Sequence, residues 1–292
     1  MNGILLLDKP SGLSSNAALQ RVRRLMGADK AGHVGSLDPL ATGMLPICLG
    51  EATKVAGDIT AARKRYQFTI SFGRRTATGD LEGEVVEESP VPALTLAQVE
   101  LALVPFRGSQ SQVPPMFSAL KRDGQPLYKL ARAGITVERA PRHIEITELS
   151  IVALAPGQLE LTALCSKGTY IRVLAEDIAR SLGTCGHVIA LRRLYVEPFD
   201  QVPMHTLAEV EAARQGGTLP AMIAPDEALP GMASVHLTAD LAGRLAHGQM
   251  VMVAGGTPTG KVRLYDAQGR FMGLGEADVE GQVRPRRLFA FS

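Results

Sequence analysis

The stretch from residue 30 to residue 54, KAGHVGSLDPLATGMLPICLGEATK, most restricts what this chain can build. Four glycines (Gly32, Gly35, Gly43, Gly50) and two prolines (Pro39, Pro46) cut it into short rigid pieces. Asp38 stands at its centre, and the nearest other acids, Asp29 and Glu51, lie well off. Pro39 pushes the residue before it out of the α region, so Asp38 belongs on a loop rather than on a helix face. His33 lies five residues upstream, Ser36 and Thr42 supply hydroxyls, and the apolar run 44–49 reads as buried. A lone carboxylate on a glycine-jointed loop, backed by a buried segment, suits chemistry that needs one positioned acid or nucleophile. Asp-Pro is also a common turn starter, and local pattern leaves both readings open. One Asp and one His fall short of a zinc or magnesium ligand set. Two-metal nuclease chemistry needs several convergent carboxylates.

A chain of 292 residues can bury a large core and divide into more than one domain. A formal net charge of +2 makes no global case for nucleic acid, but the charge is locally uneven. Basic clusters occur at 21–24, 63–65, 74–75, 121–122, 192–193 and 284–287, and the segment 80–88 is acidic. Basic clusters on one face can track a phosphate backbone; taken singly, each is more usually a set of scattered surface arginines. Three cysteines without CxxC spacing argue against a disulfide framework. The N-terminal apolar run, residues 4–7, is too short for a signal peptide or a membrane span, and no later run is long enough. A cytoplasmic location is expected.

The clearest strand is 65–73, RYQFTISFG, in which Tyr66, Phe68, Ile70 and Phe72 alternate onto one side. Tyr66 is either the end of that core face or a platform on which a base stacks. Upstream, 4–7 reads as a buried strand, 16–26 as a helix capped by Ser14 or Ser15 and stopped by Gly27, and 51–62 as helical. Residues 74–88 read as a mobile polar connector, and Thr95 caps a helix reaching 104. The segment 113–134 is a basic flap or an ordinary hairpin. Strands are expected at 144–155, 159–166 and 190–196, with helices at 170–182 and 206–215. Arg172 near a helix start opposes the helix dipole, so a nearby carboxylate partner is expected. Residues 220–231 read as a linker. Beyond it a small β module is expected, with a helix at 239–247 and strands near 250–253, 261–266, 271–276 and 288–291.

The segments GHVGSLDPLATGMLPICLGEATK, LLLDKPSGLSSN, KRYQFTISFGRRTATGD, PPMFSALKRDGQPLYKLARAG, SKGTYIRVLAEDIARSLG and HVIALRRL resemble, in family order, the motifs of the TruB family of tRNA pseudouridine synthases. The final ~58 residues resemble a PUA-type RNA-binding domain. The resemblance implies an α+β fold with a mixed, mainly antiparallel sheet and flanking helices over 1–230. It further implies an RNA-contacting insertion near 108–140 and a small β-barrel PUA-like domain over 235–292. It implies conversion of uridine to pseudouridine at position 55 of the tRNA T-loop, without cofactor or metal. Asp38 matches the catalytic nucleophile, acting on base or ribose. Tyr66 matches the tyrosine that stacks on the target base, and Arg172 the arginine that pairs with the aspartate. Tyr170 and Leu191 match pocket residues, and His33 a histidine that supports the flipped-out T-loop. A monomer acting on the T stem-loop without guide RNA, obligate protein partner or membrane is implied. A tRNA-folding chaperone that does not need the aspartate is the alternative. One departure is Ala77, where some relatives carry Asp; Asp80 remains.

Overall fold

The computed structural model describes residues 1–253, 255–256 and 258–290. The chain begins with β1 (Gly3–Lys9), α1 (Ser15–Met26), β2 (Ala31–His33), β3 (Thr42–Leu49), α2 (Ala56–Thr60) and β4 (Lys64–Phe72). There follow β5 (Arg74–Thr76), β6 (Val85–Glu88), α3 (Leu96–Leu103), β7 (Gly108–Gln112), β8 (Lys121–Arg122), β9 (Gln125–Pro126) and α4 (Leu127–Arg132). Next come β10 (Arg142–Ala155), β11 (Gln158–Cys165), α5 (Ile171–Ser181), β12 (Gly186–Val196) and α6 (Leu207–Gln215). The C-terminal part holds β13 (Ser234–His236), α7 (Ala239–Ala246), β14 (Val251–Met252), β15 (Gly260–Tyr265), β16 (Phe271–Ala277) and β17 (Gln282–Leu288).

Among the described residues an eight-stranded sheet runs β1-β3-β12-β4-β11-β10-β7, with β2 also on β3. Every pairing in it is antiparallel except β12 on β3, so the expected α+β class with a mainly antiparallel sheet is the one observed. β4 lies mid-sheet, and its alternation is strict: residues 64, 66, 68, 70 and 72 are buried and those between them half-buried. Burying Phe68, Ile70 and Phe72 is worth about 1.5–3 kcal/mol each. The inward row does not begin at Tyr66. It begins at Lys64, which is only 5% exposed.

β3 passes close to β12 at Gly43, whose φ is +96°. A Cβ built there would sit 2.1 Å from the Arg193 carbonyl oxygen. Gly43→Ala is therefore expected to destabilise the fold by about 2–4 kcal/mol, through left-handed strain plus overpacking. Urea denaturation would show this as a lowered midpoint with unchanged slope.

Several elements differ from the sequence expectation. Residues 51–62 are not one helix but a 3-10 turn, Gly50–Lys54, followed by α2; the Thr53 hydroxyl donates to the Gly50 carbonyl and helps close the tighter turn (2.8 Å). The segment 74–88 is no loose connector. β5 and β6 form a hairpin around Asp80, which is 3% exposed. The stretch 220–231 is tied down: Ile223 exchanges backbone hydrogen bonds with Ile4, and Ala228 and Leu229 are buried. The final strand ends at Leu288, not beyond it. Phe289 leaves the strand to meet Phe271 edge-on, with ring centroids 5.1 Å apart; Phe291 lies outside the described residues. A short strand, β13, was not foreseen.

The five strands β13-β15-β16-β17-β14 form the curled C-terminal sheet, matching the expected small β module. It is docked on the rest of the chain. Lys54 donates to the Leu288 carbonyl (2.6 Å) and Lys261 pairs with Asp58 (2.7 Å). Ile4, Val55, Phe199, Leu274 and Phe289 share one apolar cluster. No described helix is long and apolar enough to cross a membrane.

Candidate active site

The loop bearing Asp38 is staked down by its neighbours on both sides. Ser14 caps α1, its side chain accepting from the Ala17 amide (3.1 Å), and Gly27 ends the helix in the left-handed conformation. That leaves Ser15 free to face inward. Its hydroxyl donates to the Leu37 carbonyl (2.9 Å) and accepts from the Leu37 amide (2.7 Å). On the far side, the Gly12 amide and the Lys9 ammonium both donate to the Pro39 carbonyl, at 2.9 and 3.3 Å. Lys9 is fully buried and also donates to Pro10 and Leu13 carbonyls; burial pushes its pKa down to about 8, against an attraction to Asp38. Asp38 thus sits on a loop, as its Pro39 neighbour dictates, and the loop is rigid because its backbone partners are buried side chains.

Asp38, Tyr66, Tyr170, Arg172 and Leu191 line one cavity of about 400 Å³. The guanidinium of Arg172 meets Asp38 through Nε at 2.9 Å and Asp80 at 3.7 Å. Its other nitrogens donate to the Thr78 and Phe117 carbonyls at 2.6 and 2.7 Å. Asp80 is itself held, accepting from the Thr78 hydroxyl (2.6 Å) and the Glu82 amide (3.0 Å). Arg172 is 5% exposed, so this fan of acceptors leaves it little freedom. The carboxylate partner expected for Arg172 from its place at the start of α5 is present, and a second one accompanies it. In the loop that carries Ala77, the acidic contact to Arg172 is made by Asp80.

Tyr66 and Leu191 come from the inward faces of β4 and β12, and Arg193 stands directly opposite Tyr66 across that pair. Burial raises the Tyr66 pKa, and the positive charge of Arg193 works against that rise. The phenol is therefore neutral at physiological pH, poised beside a fixed cation. Tyr170 precedes α5, where its backbone exchanges hydrogen bonds with the Gln112 side chain, 2.8 and 3.1 Å. The Asp38 side chain keeps 41% of its surface open toward the cavity. Its pKa is nevertheless raised, chiefly by desolvation within the cleft, and Arg172 opposes that rise.

His33 is not brought into the cavity. It ends β2, half-buried, and its Nδ1 is buried with no hydrogen-bond partner among the described residues. Burial and the neighbouring Arg193 hold its pKa below the ordinary histidine value. Three cavity or near-cavity residues escaped the sequence reading: Asp80, Lys64 and Arg193. Lys64 was legible in principle, since it continues the 66–68–70–72 alternation by one step. Among the described residues no three His, Cys, Asp or Glu side chains converge as a metal site.

Comparison with known proteins shows which family shares this fold. The family model described as the N-terminal domain of TruB family pseudouridylate synthases matches residues 23–171. Two TruB C-terminal models match 172–229 and 233–289. The tRNA pseudouridine synthase B of Stutzerimonas stutzeri strain A1501 is 49% identical over 292 residues, spanning 99% of this chain and 95% of that one. The protein of the same name from Nitrosococcus oceani is 49% identical over 291 residues, spanning 99% and 94%. Among solved structures, a chain of an H/ACA RNP bound to a substrate RNA containing 2'-deoxyuridine superposes with a TM-score of 0.74. It is 21% identical, covering 99% of this chain and 85% of that one, and shows the shared fold. The chain belongs to the TruB family of pseudouridylate synthases.

Proposed function

We propose that this chain isomerises uridine to pseudouridine at position 55 of the tRNA T-loop, acting alone on a flipped-out base. The observation that carries the reading is the Asp38–Arg172 contact at 2.9 Å on the wall of a cavity that Tyr66, Tyr170 and Leu191 also line. In the reaction the N1–C1' bond breaks and a C5–C1' bond forms. N1, freed from the sugar, gains a proton, and the hydrogen on C5 is lost to solvent. No electrons are gained or lost, so one ionised nucleophile and a proton acceptor suffice. Asp38 is the nucleophile, on base or ribose, and Arg172 keeps it ionised. Tyr66 stacks on the base, Tyr170 and Leu191 close the pocket, and His33 supports the opened T-loop. Extruding a base costs a few kcal/mol, which pocket contacts offset. Residues 1–230 form the catalytic unit, the segment near 108–140 closes on RNA, and 235–292 adds an RNA-binding module. The names of the relatives support tRNA as substrate.

Release of tritium from a T stem-loop labelled at C5 of uridine, with protein alone, tests this reading; no release would end it. The same assay supports a pH prediction. Because Asp38 must be ionised and its pKa is raised, kcat/KM falls on acidification with an apparent pKa above the usual aspartate value of about 3.9. Asp80 is one cause of the raised value, since its negative charge disfavours a second one at Asp38. Asp80→Asn is therefore expected to move the acid limb to lower pH. A limb that stays put or moves up contradicts the assignment.

A further inference from the structure

The cavity lining also holds cations that the Asp38–Arg172 pair does not engage. They are Lys64 and Arg193, 5% and 1% exposed, together with the exposed Lys167. Lys64 and Arg193 are neighbours across Gly35: a Cβ built on that glycine would lie 3.2 Å from Arg193 Nη1 and 3.8 Å from Lys64 Cε. The protein acceptors of the two charged groups are overwhelmingly neutral. Arg193 Nε donates to the Met44 carbonyl (2.6 Å), and Nη2 to the Gly35 and Val34 carbonyls (2.9 and 3.3 Å). Lys64 donates to the Thr60 and Ala62 carbonyls (2.7 and 2.5 Å). Among the described residues neither they nor Lys167 forms an ion pair with a carboxylate. The nearest candidates are committed elsewhere: Asp38 to Arg172, and Glu197 to Arg63 at 2.8 Å.

Buried cations without a counter-ion are costly, and these face a pocket rather than a sealed core. Repulsion and burial already act on Lys64, pushing its pKa down to about 8. A ligand that brings one negative charge to these cations relieves both. Each of the two groups has donor capacity left: an ammonium has three protons and Lys64 uses two on carbonyls, while Arg193 Nη1, near Gly35, is not among the nitrogens that donate to the Met44, Val34 and Gly35 carbonyls. Carboxylate and phosphate both fit such donors, but the RNA substrate supplies one phosphate per nucleotide next to any base in the pocket.

We infer that Lys64, Arg193 and Lys167 form a cradle for one backbone phosphate flanking the target uridine. This rests on the RNA-substrate reading above. The cradle fixes the ribose-phosphate while Asp38 and Arg172 engage the nucleoside. It thereby also places an anion beside Arg193, the cross-strand partner of Tyr66.

The test uses the full chain and T stem-loop RNAs in which each of the two linkages flanking the target uridine is replaced, one at a time, by an uncharged methylphosphonate. With wild-type protein one replacement is expected to raise KM by about tenfold, as loss of a charge-assisted phosphate contact should. In Lys64→Met that same replacement should cost nothing further, and the plot of log Kd against log salt should be shallower by about 0.7. Lys167→Gln, at an exposed position, should show the same non-additivity in smaller degree; it keeps the test valid if Lys64→Met fails to fold. Insensitivity of wild type to both replacements, or penalties that multiply in the variants, overturns the cradle while leaving the isomerase reading intact. Failure of wild type to convert the unmodified stem-loop overturns both.

Discussion

Asp38→Asn is expected to cut pseudouridine formation by more than about 10³-fold while leaving T stem-loop affinity within a few fold, because a nucleophile is removed and shape is kept. The same substitution should not lower the melting temperature at neutral pH. The sign follows from linkage. A carboxyl whose pKa is higher folded than unfolded favours folding most when protonated; that benefit is lost as pH rises through the unfolded and then the folded value. Asp38 is such a group, and Asn resembles its protonated form. Single-turnover assays, filter binding and thermal melts report the three quantities separately. Product made at near wild-type rate would remove Asp38 from the chemistry. Normal T-loop folding with no product from wild type itself would instead favour the chaperone alternative.

Arg172→Lys should lose about 10²–10³-fold in kcat, since the fixed geometry of the guanidinium, not merely its charge, orients the nucleophile. One planar group reaches Asp38, Asp80 and the carbonyls of Thr78 and Phe117 at once. An ammonium on a flexible stem cannot span the same four acceptors. Arg172→Met goes further, because it strands Asp80 at 3% exposure without its counter-ion; removing one partner of a buried pair costs about 3–5 kcal/mol. Guanidinium denaturation should reveal that loss, and Asp80→Asn in the same background should recover part of it. An Arg172→Lys enzyme within about threefold of wild type would show that charge alone suffices.

The loop that carries Asp38 was legible because glycine and proline punctuate it locally: Pro39 alone decides that Asp38 leaves a helix, and the flanking apolar run became β3. The 66–72 alternation and the capped helices were equally local signals, with Thr95 and Thr206 closing capping boxes as their sequence context implies. Arg172 could be read as needing a carboxylate because a cation at a helix start is electrostatically misplaced. Asp80 could not be read, since an acid amid acids looks like solvent-facing chain; only the β5–β6 hairpin turns it onto Arg172. Lys64 and Arg193 failed for a related reason. Adjacent basic residues resemble a hydrated surface, and their burial follows from strand pairing, which brings Arg193 opposite Tyr66. His33 was named through family resemblance, and its neutral, half-buried place on β2 is a tertiary outcome that no local pattern encodes. The segment 220–231 looked like a tether by composition, yet Ile223 completes the edge of β1.

Carbodiimide mapping of an unmodified tRNA transcript, incubated side by side with wild type and Asp38→Asn and no other component, tests the central claim most directly. The account predicts one new reverse-transcription stop at the T-loop uridine with wild type and none with the variant. A stop that persists in the variant, or no stop with either protein, contradicts it.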